Sequence, residues 1–283
     1  MVPMQQLPTS GTTAPAFIYG TAWKEERTRA LVLQALRVGF RAIDTANQRK
    51  HYFEAAVGEA LAEAIGAGLV TRDELFLQTK FTHRPGQDHR LPYDPSAPMM
   101  DQVRQSFASS LEHLGVERID SYVLHGPSQR HGLAPEDWEA WRGMEELAQA
   151  GQCRVLGVSN VSAAQLAELV EGAAVRPSFV QNRCYAVTGW DWQVRRLCEE
   201  HGVAYQGFSL LTANVPALRS PAVTRPARRV GATSAAVVFR FAQQVEMIPL
   251  TGSSSAEHLA ADLACGDFEL TEEEVRGIEG VGV

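Results

Sequence analysis

Four side chains that can exchange protons lie at or just after short apolar segments in the first half of the chain. Asp44, Lys80 and His125 each close such a segment, and Tyr52 lies in the loop after the first one. A carboxylate, a phenol, an amine and an imidazole at one place make a proton-transfer site. An ammonium beside a phenol favours phenolate, so we expect Lys80 to lower the pKa of Tyr52 while Asp44 keeps Lys80 charged and oriented. The competing interpretation is a structural Asp44–Lys80 ion pair with His125 as a core imidazole.

These side chains would lie close together if the segments that carry them were parallel strands of one sheet. Strand-like segments alternate with helix-like ones, without a linker, at 17–20, 41–45, 75–80, 119–125, 154–158, 179–181, 204–208 and 246–249. Eight such units predict a single α/β domain over residues 1–283, a (β/α)8 TIM barrel with extended loops at its carboxyl-terminal face, where such barrels build their sites. The alternative fold is an open doubly wound sheet. To bind a dinucleotide, that fold would need a GxGxxG turn after its first strand, and the sequence has none.

Helical periodicity fills the intervals between the strands. Helices are predicted at 25–38, 54–65, 103–114, 138–150, 163–170, 190–201, 234–244, 256–263 and 272–278. Two Pro-rich stretches carry no predicted helix, a polar loop at 82–98 and the segment 211–229.

The composition of the chain limits the kinds of partner that it is expected to bind. The chain has 283 residues, 45% of them hydrophobic, and a formal net charge of −7, which gives no electrostatic footprint for nucleic acid. No apolar run is long enough for a membrane helix, and no signal segment begins the chain. The four cysteines, Cys153, Cys184, Cys198 and Cys265, have neither paired nor CxxC spacing, so we expect free thiols in the cytoplasm. The histidine spacings match no metal site.

Several strings together resemble the aldo-keto reductase family. The run GFRAIDTA at 39–46, continued by EAAVGEAL at 54–61, resembles the first signature of that family, and GVSN at 157–160 resembles the second. The remaining strings follow in the family's order: GTAW at 20–23, QTK at 78–80, VLH at 123–125, FVQN at 179–182 and IPLTGSSS at 248–255. The resemblance runs from about residue 19 to the end.

The resemblance implies an NAD(P)H-dependent oxidoreductase that reduces an aldehyde or ketone to an alcohol, or runs the reverse reaction. Hydride comes from nicotinamide, and Tyr52 supplies the proton with help from Lys80, Asp44 and His125. The implied partner is a small carbonyl or alcohol, and the oligomeric state is not specified. The alternative is a non-enzymatic module of the same fold that binds the nicotinamide cofactor to sense it or to regulate a partner.

The tyrosine loop departs from the family pattern, in which it is two residues shorter than 47–53 here. Counted forward from Asp44, the tyrosine position falls on Arg49, and counted back from Val57 it falls on His51. Only Tyr52 has the required chemistry, because arginine does not release a proton and His51 would be a different kind of acid. We expect Tyr52 to face the site, with His51 as the alternative.

The resemblance also assigns the nicotinamide end of the cofactor. Ser159, Asn160 and Gln181 would bind the carboxamide, and Phe208 would stack on the ring where the family commonly has tyrosine. Ser209 to Thr212, including Leu211, are expected to contact the pyrophosphate. Gly20, Thr21 and Trp23 are expected to line the pocket near the nicotinamide and the substrate. The alternatives are that Ser159-Asn160 is a turn capping the next helix and that Phe208 is a core residue.

The adenosine end differs from NADPH-preferring members, which have a lysine after Ile-Pro and an arginine in the next helix. Here Leu250-Thr251-Gly252 follows the proline and His258 takes the arginine position, so both fixed cations are missing. Ser253, Ser254 and Ser255 could bind the 2′-phosphate at a helix N-terminus, or could simply cap that helix. We therefore expect NADP as cofactor, with NAD possible and weak discrimination between them.

Overall fold

A closed barrel of eight parallel strands forms the centre of the computed structural model, which describes residues 4–6 and 13–282. The first two strands, β1 (Met4–Gln6) and β2 (Thr13–Pro15), form a separate antiparallel pair. The barrel strands are β3 (Ile18–Gly20), β4 (Ala42–Asp44), β5 (Phe76–Phe81), β6 (Ile119–Leu124), β7 (Cys153–Ser159), β8 (Phe179–Arg183), β9 (Ala204–Phe208) and β10 (Met247–Thr251). Neighbours pair in chain order, and β10 closes on β3. The (β/α)8 barrel is confirmed, although residues 1–3, 7–12 and 283 of the expected domain lie outside the described residues.

Helices surround the barrel at most of the predicted positions. They are α1 (Thr28–Val38), α2 (Glu54–Gly66), α3 (Met99–Leu114), α4 (Pro135–Gln149), α5 (Ala163–Gly172), α6 (Trp192–His201), α7 (Val215–Arg219), α8 (Pro221–Val230), α9 (Ser234–Gln244), α10 (Ala256–Leu263) and α11 (Glu272–Glu279). The prediction that the Pro-rich segment 211–229 carries no helix was wrong, since α7 and α8 lie there. Pro216 and Pro221 occupy first-turn positions, where a helix needs no backbone N–H, so proline starts these helices.

The barrel interior changes from apolar to polar along the strands. An apolar layer near the amino ends includes Ala42, Phe76, Phe179 and Ile248, all almost fully buried. Ala14 of β2 packs into the same layer, so the unpredicted β1–β2 pair lies against this end of the barrel. Side chains of a strand alternate between faces, so the residues two positions later also point inward. Asp44, Gln78 and Gln181 are such residues, which places polar groups above the apolar layer.

No helix within the described residues is long and apolar enough to cross a membrane.

Helix α2 packs closely against α3 through Gly58. A Cβ at this position would overlap the backbone carbonyl of His113, so the two helices approach each other only because residue 58 has no side chain. The packing also holds the tyrosine loop, which runs directly into α2.

We predict that Gly58→Ala destabilises the protein by about 1–3 kcal/mol, because the backbone of α3 must move to admit the methyl group. Gly66→Ala is the matched control in the same helix, because a Cβ there meets nothing within 4 Å. It should be neutral or slightly stabilising, since alanine favours helix more than glycine does. Urea unfolding of both variants measures the difference, and equal stabilities would contradict this account of the α2–α3 contact.

Candidate active site

A buried ion pair lies at the carboxyl end of the barrel. Nζ of Lys80 is 2.6 Å and 2.7 Å from the two carboxylate oxygens of Asp44 and 2.8 Å from the carbonyl oxygen of Thr45. The Lys80 side chain is fully buried and that of Asp44 is 4% exposed. Loss of hydration lowers the pKa of Lys80, and the Asp44 carboxylate opposes that shift. Three oxygen acceptors therefore use all three ammonium protons.

Three glutamines bind Asp44 and one another inside the barrel. Nε2 of Gln78 donates to Oδ1 of Asp44 at 2.7 Å, and Nε2 of Gln181 donates to the same oxygen at 3.0 Å. Both amides also donate to Oε1 of Gln206, at 2.8 Å and 2.9 Å. We call Gln78, Gln181 and Gln206 the glutamine layer. The sequence analysis did not assign Gln78 and Gln206 to the site. The pattern that could have identified them is a polar residue two positions before a strand end, where the side chain points into the barrel.

Tyr52 contacts both Lys80 and His125. Nζ of Lys80 lies 5.1 Å from the centroid of the half-buried Tyr52 ring. The ring meets the His125 imidazole edge-on, with centroids 5.8 Å apart. The hydroxyl makes no hydrogen bond to any residue that the structure describes, so it is free to bind a substrate oxygen.

The expected net lowering of the Tyr52 pKa was wrong for this structure. Burial raises the pKa of the phenol well above its usual range, and the Asp44 carboxylate raises it further. Since Asp44 largely neutralises Lys80 as a source of positive potential, loss of hydration decides the sign. Tyr52 is therefore protonated at neutral pH, the form that a proton donor needs.

His51, the alternative to Tyr52, lies against Trp23 at the rim of the barrel. The two rings stack with centroids 3.9 Å apart, and the Trp23 amide donates to the His51 carbonyl at 2.7 Å. The amides of His51 and Tyr52 both donate to the carbonyl of Gln48, so the longer loop closes into a tight turn. This turn directs the Tyr52 ring, and not that of His51, toward the Asp44–Lys80 pair.

His125 is half-buried and neutral. Burial and the nearby Lys80 and His51 lower the pKa of its imidazole to about 3. Its Nδ1 lies 2.7 Å from the hydroxyl oxygen of Thr82, and its backbone carbonyl accepts from the side-chain amide of Asn160 at 2.7 Å. Thr82 therefore holds the uncharged ring, and Asn160 holds the backbone that carries it.

The residues expected at the nicotinamide lie together at the ends of β7, β8 and β9. The Ser159 hydroxyl donates to the Gln181 carbonyl at 2.6 Å, and Asn160 has a left-handed φ of 55°. The capping alternative for Ser159-Asn160 is wrong, because Ser162 caps α5. Phe208, at the carboxyl end of β9, is half-buried against the cluster of apolar residues that includes Leu250, with the Arg183 guanidinium 5.6 Å from its ring centroid.

The other expected cofactor residues differ in exposure. Thr21 is fully buried, and its amide and hydroxyl both donate to the Asp44 carbonyl, at 3.0 Å and 2.9 Å. It thus supports the strand that carries Asp44, whereas Trp23 is 67% exposed at the rim. Ser209 has a left-handed φ of 58°, and the partly buried Leu211 packs on the core.

The serine segment at 253–255 follows β10 and packs on α1. Consecutive carbonyls of Gly252, Ser253 and Ser254 accept hydrogen bonds, and the donors are Nζ of Lys24, the hydroxyl of Tyr19 at 3.2 Å and Nε2 of Gln34 at 3.2 Å. Ser255 caps α10 by accepting from the His258 amide at 3.3 Å, so the capping interpretation applies to that serine.

Neither family position carries a fixed cation, as the sequence indicates, but a cation from elsewhere in the chain lies at this end. The ammonium of Lys24 reaches Gly252 from the segment after β3, which neither the Ile-Pro string nor the next helix could reveal. The only sequence signal is that Lys24 directly follows Trp23, another expected site residue.

A cavity of about 270 Å³ opens beside Tyr52, between the tyrosine loop and α3. Its lining includes Gln48, Arg49, Arg90 and His113. No cluster that could hold a metal ion occurs among the described residues.

Comparison with known proteins places this arrangement in a family. Residues 11–282 match the model of the Aldo/keto reductase family. The chain is 32% identical to the aldo-keto reductase AKR2E4 of Bombyx mori over 288 residues, covering 95% of this chain and 89% of that protein. It is also 32% identical to an aldo-keto reductase of Mycobacterium avium, covering 91% and 82%. The crystal structure of the Bombyx mori enzyme in complex with NADP superposes with a TM-score of 0.82 at 30% identity, covering 98% and 92%. The chain therefore belongs to the aldo/keto reductase family.

Proposed function

We propose that this protein reduces an aldehyde or ketone to an alcohol with NADPH, or catalyses the reverse, with Tyr52 as the proton donor. The observation that carries the proposal is the Tyr52 ring in contact with both the Lys80 ammonium and the His125 imidazole. The relatives named above are reductases by name, so they do not favour a cofactor-sensing module. The substrate is a small carbonyl compound.

The residues present fit a nicotinamide dinucleotide. Phe208 offers an aromatic face at the barrel mouth, and Ser159, Asn160 and Gln181 lie beside it with hydroxyl and amide groups. The Lys24 ammonium and the serine segment lie at the end of β10, where cations and helix N-terminal amides favour phosphate. When bound, the nicotinamide supplies the hydride that the carbonyl carbon accepts.

Tyr52 completes the reduction by giving its phenolic proton to the oxygen that gains charge. The raised pKa of Tyr52 keeps that proton in place at neutral pH. After transfer, the phenolate lies near the Lys80 ammonium, which stabilises it, and a proton from solvent restores the phenol. His125, being neutral, donates a hydrogen bond to the same oxygen and does not compete as an acid.

We also propose that the protein works in the cytoplasm. Its four cysteines are all buried free thiols, which suits a reducing compartment.

Tyr52→Phe is expected to lower kcat for carbonyl reduction about 10²–10⁴-fold, because the hydroxyl is needed as charge develops on the oxygen. The dissociation constant for NADPH should stay nearly unchanged. The control is His51→Gln, which removes the alternative acid at the rim and should retain most of kcat. Stopped-flow NADPH oxidation with a panel of aldehydes and ketones provides the rates. An active Tyr52→Phe enzyme beside an inactive His51→Gln enzyme would overturn the assignment.

Lys80→Met should destabilise the fold by about 3–5 kcal/mol, because it leaves the Asp44 carboxylate buried without its cation. The basic limb of the pH profile should also move to higher pH, since removing a cation beside the phenol disfavours phenolate.

The double variant Asp44→Asn/Lys80→Met separates charge burial from chemistry. It removes the uncompensated carboxylate, so it should recover part of the lost stability without recovering turnover. Denaturant unfolding and pH–rate profiles of both variants test this, and a fully active, fully stable Lys80→Met enzyme would contradict it.

Discrimination between NADPH and NADH is expected to be weak. Charge-assisted hydrogen bonds contribute about 1.5–3 kcal/mol and neutral ones about 1. Since the Lys24 ammonium already donates to the Gly252 carbonyl, the neutral serine donors should do most of the work and favour NADPH by roughly tenfold or less. A protonated His258 beside the phosphate would increase the preference in acid. The ratio of dissociation constants at pH 6 and pH 8 is the measurement. A strong preference at pH 8 that survives Ser254→Ala, His258→Ala and Lys24→Met would show that the 2′-phosphate binds elsewhere.

A further inference from the structure

The hydroxyl of Thr82 lies 2.7 Å from Nδ1 of His125, in a hydrogen bond that no expected role of the site requires. Thr82 directly follows β5, two residues after Lys80, and is only 5% exposed. Among the described residues its Oγ1 has no other hydrogen-bond partner. The bond therefore links a buried hydroxyl solely to the imidazole proposed to bind the substrate oxygen.

The loop after β5 fixes the orientation of Thr82. Its carbonyl accepts a hydrogen bond from the Tyr93 hydroxyl at 2.8 Å. Its methyl group packs against Gly86, where a Cβ would come within 2.7 Å of Cγ2. With the carbonyl and the methyl both placed, the hydroxyl has one direction left, toward His125.

The backbone of His125 is held by two hydrogen bonds of its own. The His125 amide donates to the Phe81 carbonyl at 2.9 Å, and its carbonyl accepts from Asn160. Since the ring is neutral, it carries one N–H, on either Nδ1 or Nε2. The bond to Thr82 occupies Nδ1, which leaves Nε2 as the ring nitrogen available to a substrate.

Counting the hydrogen-bond donors and acceptors decides between the two tautomers. If Nδ1 carried the proton, it would donate to Oγ1, and the Thr82 hydroxyl proton would be buried without an acceptor, which is costly. Nε2 would then offer a lone pair to the substrate oxygen and repel it. If the Thr82 hydroxyl donates to Nδ1, every proton is used and Nε2–H is a donor.

We propose that Thr82 is a positioning residue that donates its hydroxyl proton to Nδ1 of His125 and thereby holds the imidazole in the Nε2–H tautomer. His125 and Tyr52 then present two neutral donors to one carbonyl oxygen. This inference rests on the proposed function for its catalytic consequence, but the tautomer itself is independent of turnover.

The test compares Thr82→Val, which keeps the shape and removes the hydroxyl, with Thr82→Ser, which keeps the hydroxyl. Two-bond 1H–15N NMR of the full-length protein reports which nitrogen of His125 is protonated, with His125→Asn identifying the signal. Wild type and Thr82→Ser should show Nε2–H, and Thr82→Val should lose that preference. Because one donor to the developing oxyanion is then present only part of the time, kcat of Thr82→Val should fall about 10–100-fold, with NADPH affinity unchanged.

Tyr93→Phe is the matched control, because it removes a neighbouring hydroxyl that does not bond His125. The Thr82 hydroxyl and the contact of its methyl group with Gly86 remain, so the tautomer should be unchanged. Thr82→Ala replaces Thr82→Val if the latter does not fold. An Nδ1–H signal in wild type, or an Nε2–H signal that persists with full kcat when the hydroxyl is removed, would overturn the proposal. If wild type reduces no carbonyl at all, the proposed function fails while the NMR result still decides the role of Thr82.

Discussion

The buried ion pair between Asp44 and Lys80 constrains the whole carboxyl end of the barrel. An ammonium and a carboxylate without water are tolerated only when both have hydrogen-bond partners on every side. Lys80 has three oxygen acceptors, and Asp44 receives two further amides from the glutamine layer. These groups come from β4, β5 and β8, so the pair is satisfied only when the barrel is closed. The fold and the charge pair thus depend on each other.

The same loss of hydration acts in opposite directions on Tyr52 and His125, the two groups proposed to bind the substrate oxygen. It raises the pKa of Tyr52, because the charged form of a phenol is the deprotonated one, and it lowers the pKa of His125, because the charged form of an imidazole is the protonated one. Both side chains are therefore neutral hydrogen-bond donors at physiological pH, provided that His125 is in the Nε2–H tautomer. One physical cause, burial, therefore sets the protonation state of both residues that the proposed function uses as donors.

Two departures from the family pattern are absorbed by local hydrogen bonds. The longer tyrosine loop turns tightly on the Gln48 carbonyl, which brings Tyr52 inward and leaves His51 stacked on Trp23. At the other end of the proposed cofactor site, the carbonyls of Gly252, Ser253 and Ser254 accept hydrogen bonds from three residues distant in sequence, Lys24, Tyr19 and Gln34. In both places the backbone of a segment that departs from the family pattern is held by hydrogen bonds.

The order of the eight barrel strands and of most helices was determined by the sequence, and so were the positions of Asp44, Lys80 and His125 near strand ends. The alternation of apolar residues and the ends of strands are local properties, whereas the β1–β2 pair was not predicted. Proline-started helices α7 and α8 were missed, since a first-turn proline and a loop proline have the same local signal. Which of His51 and Tyr52 turns inward, the sign of the Tyr52 pKa shift, and the approach of Lys24 and Thr82 to the site were decided only by tertiary structure. Each of these depends on burial or on contacts between residues far apart in the chain, and such contacts exist only once the barrel has closed.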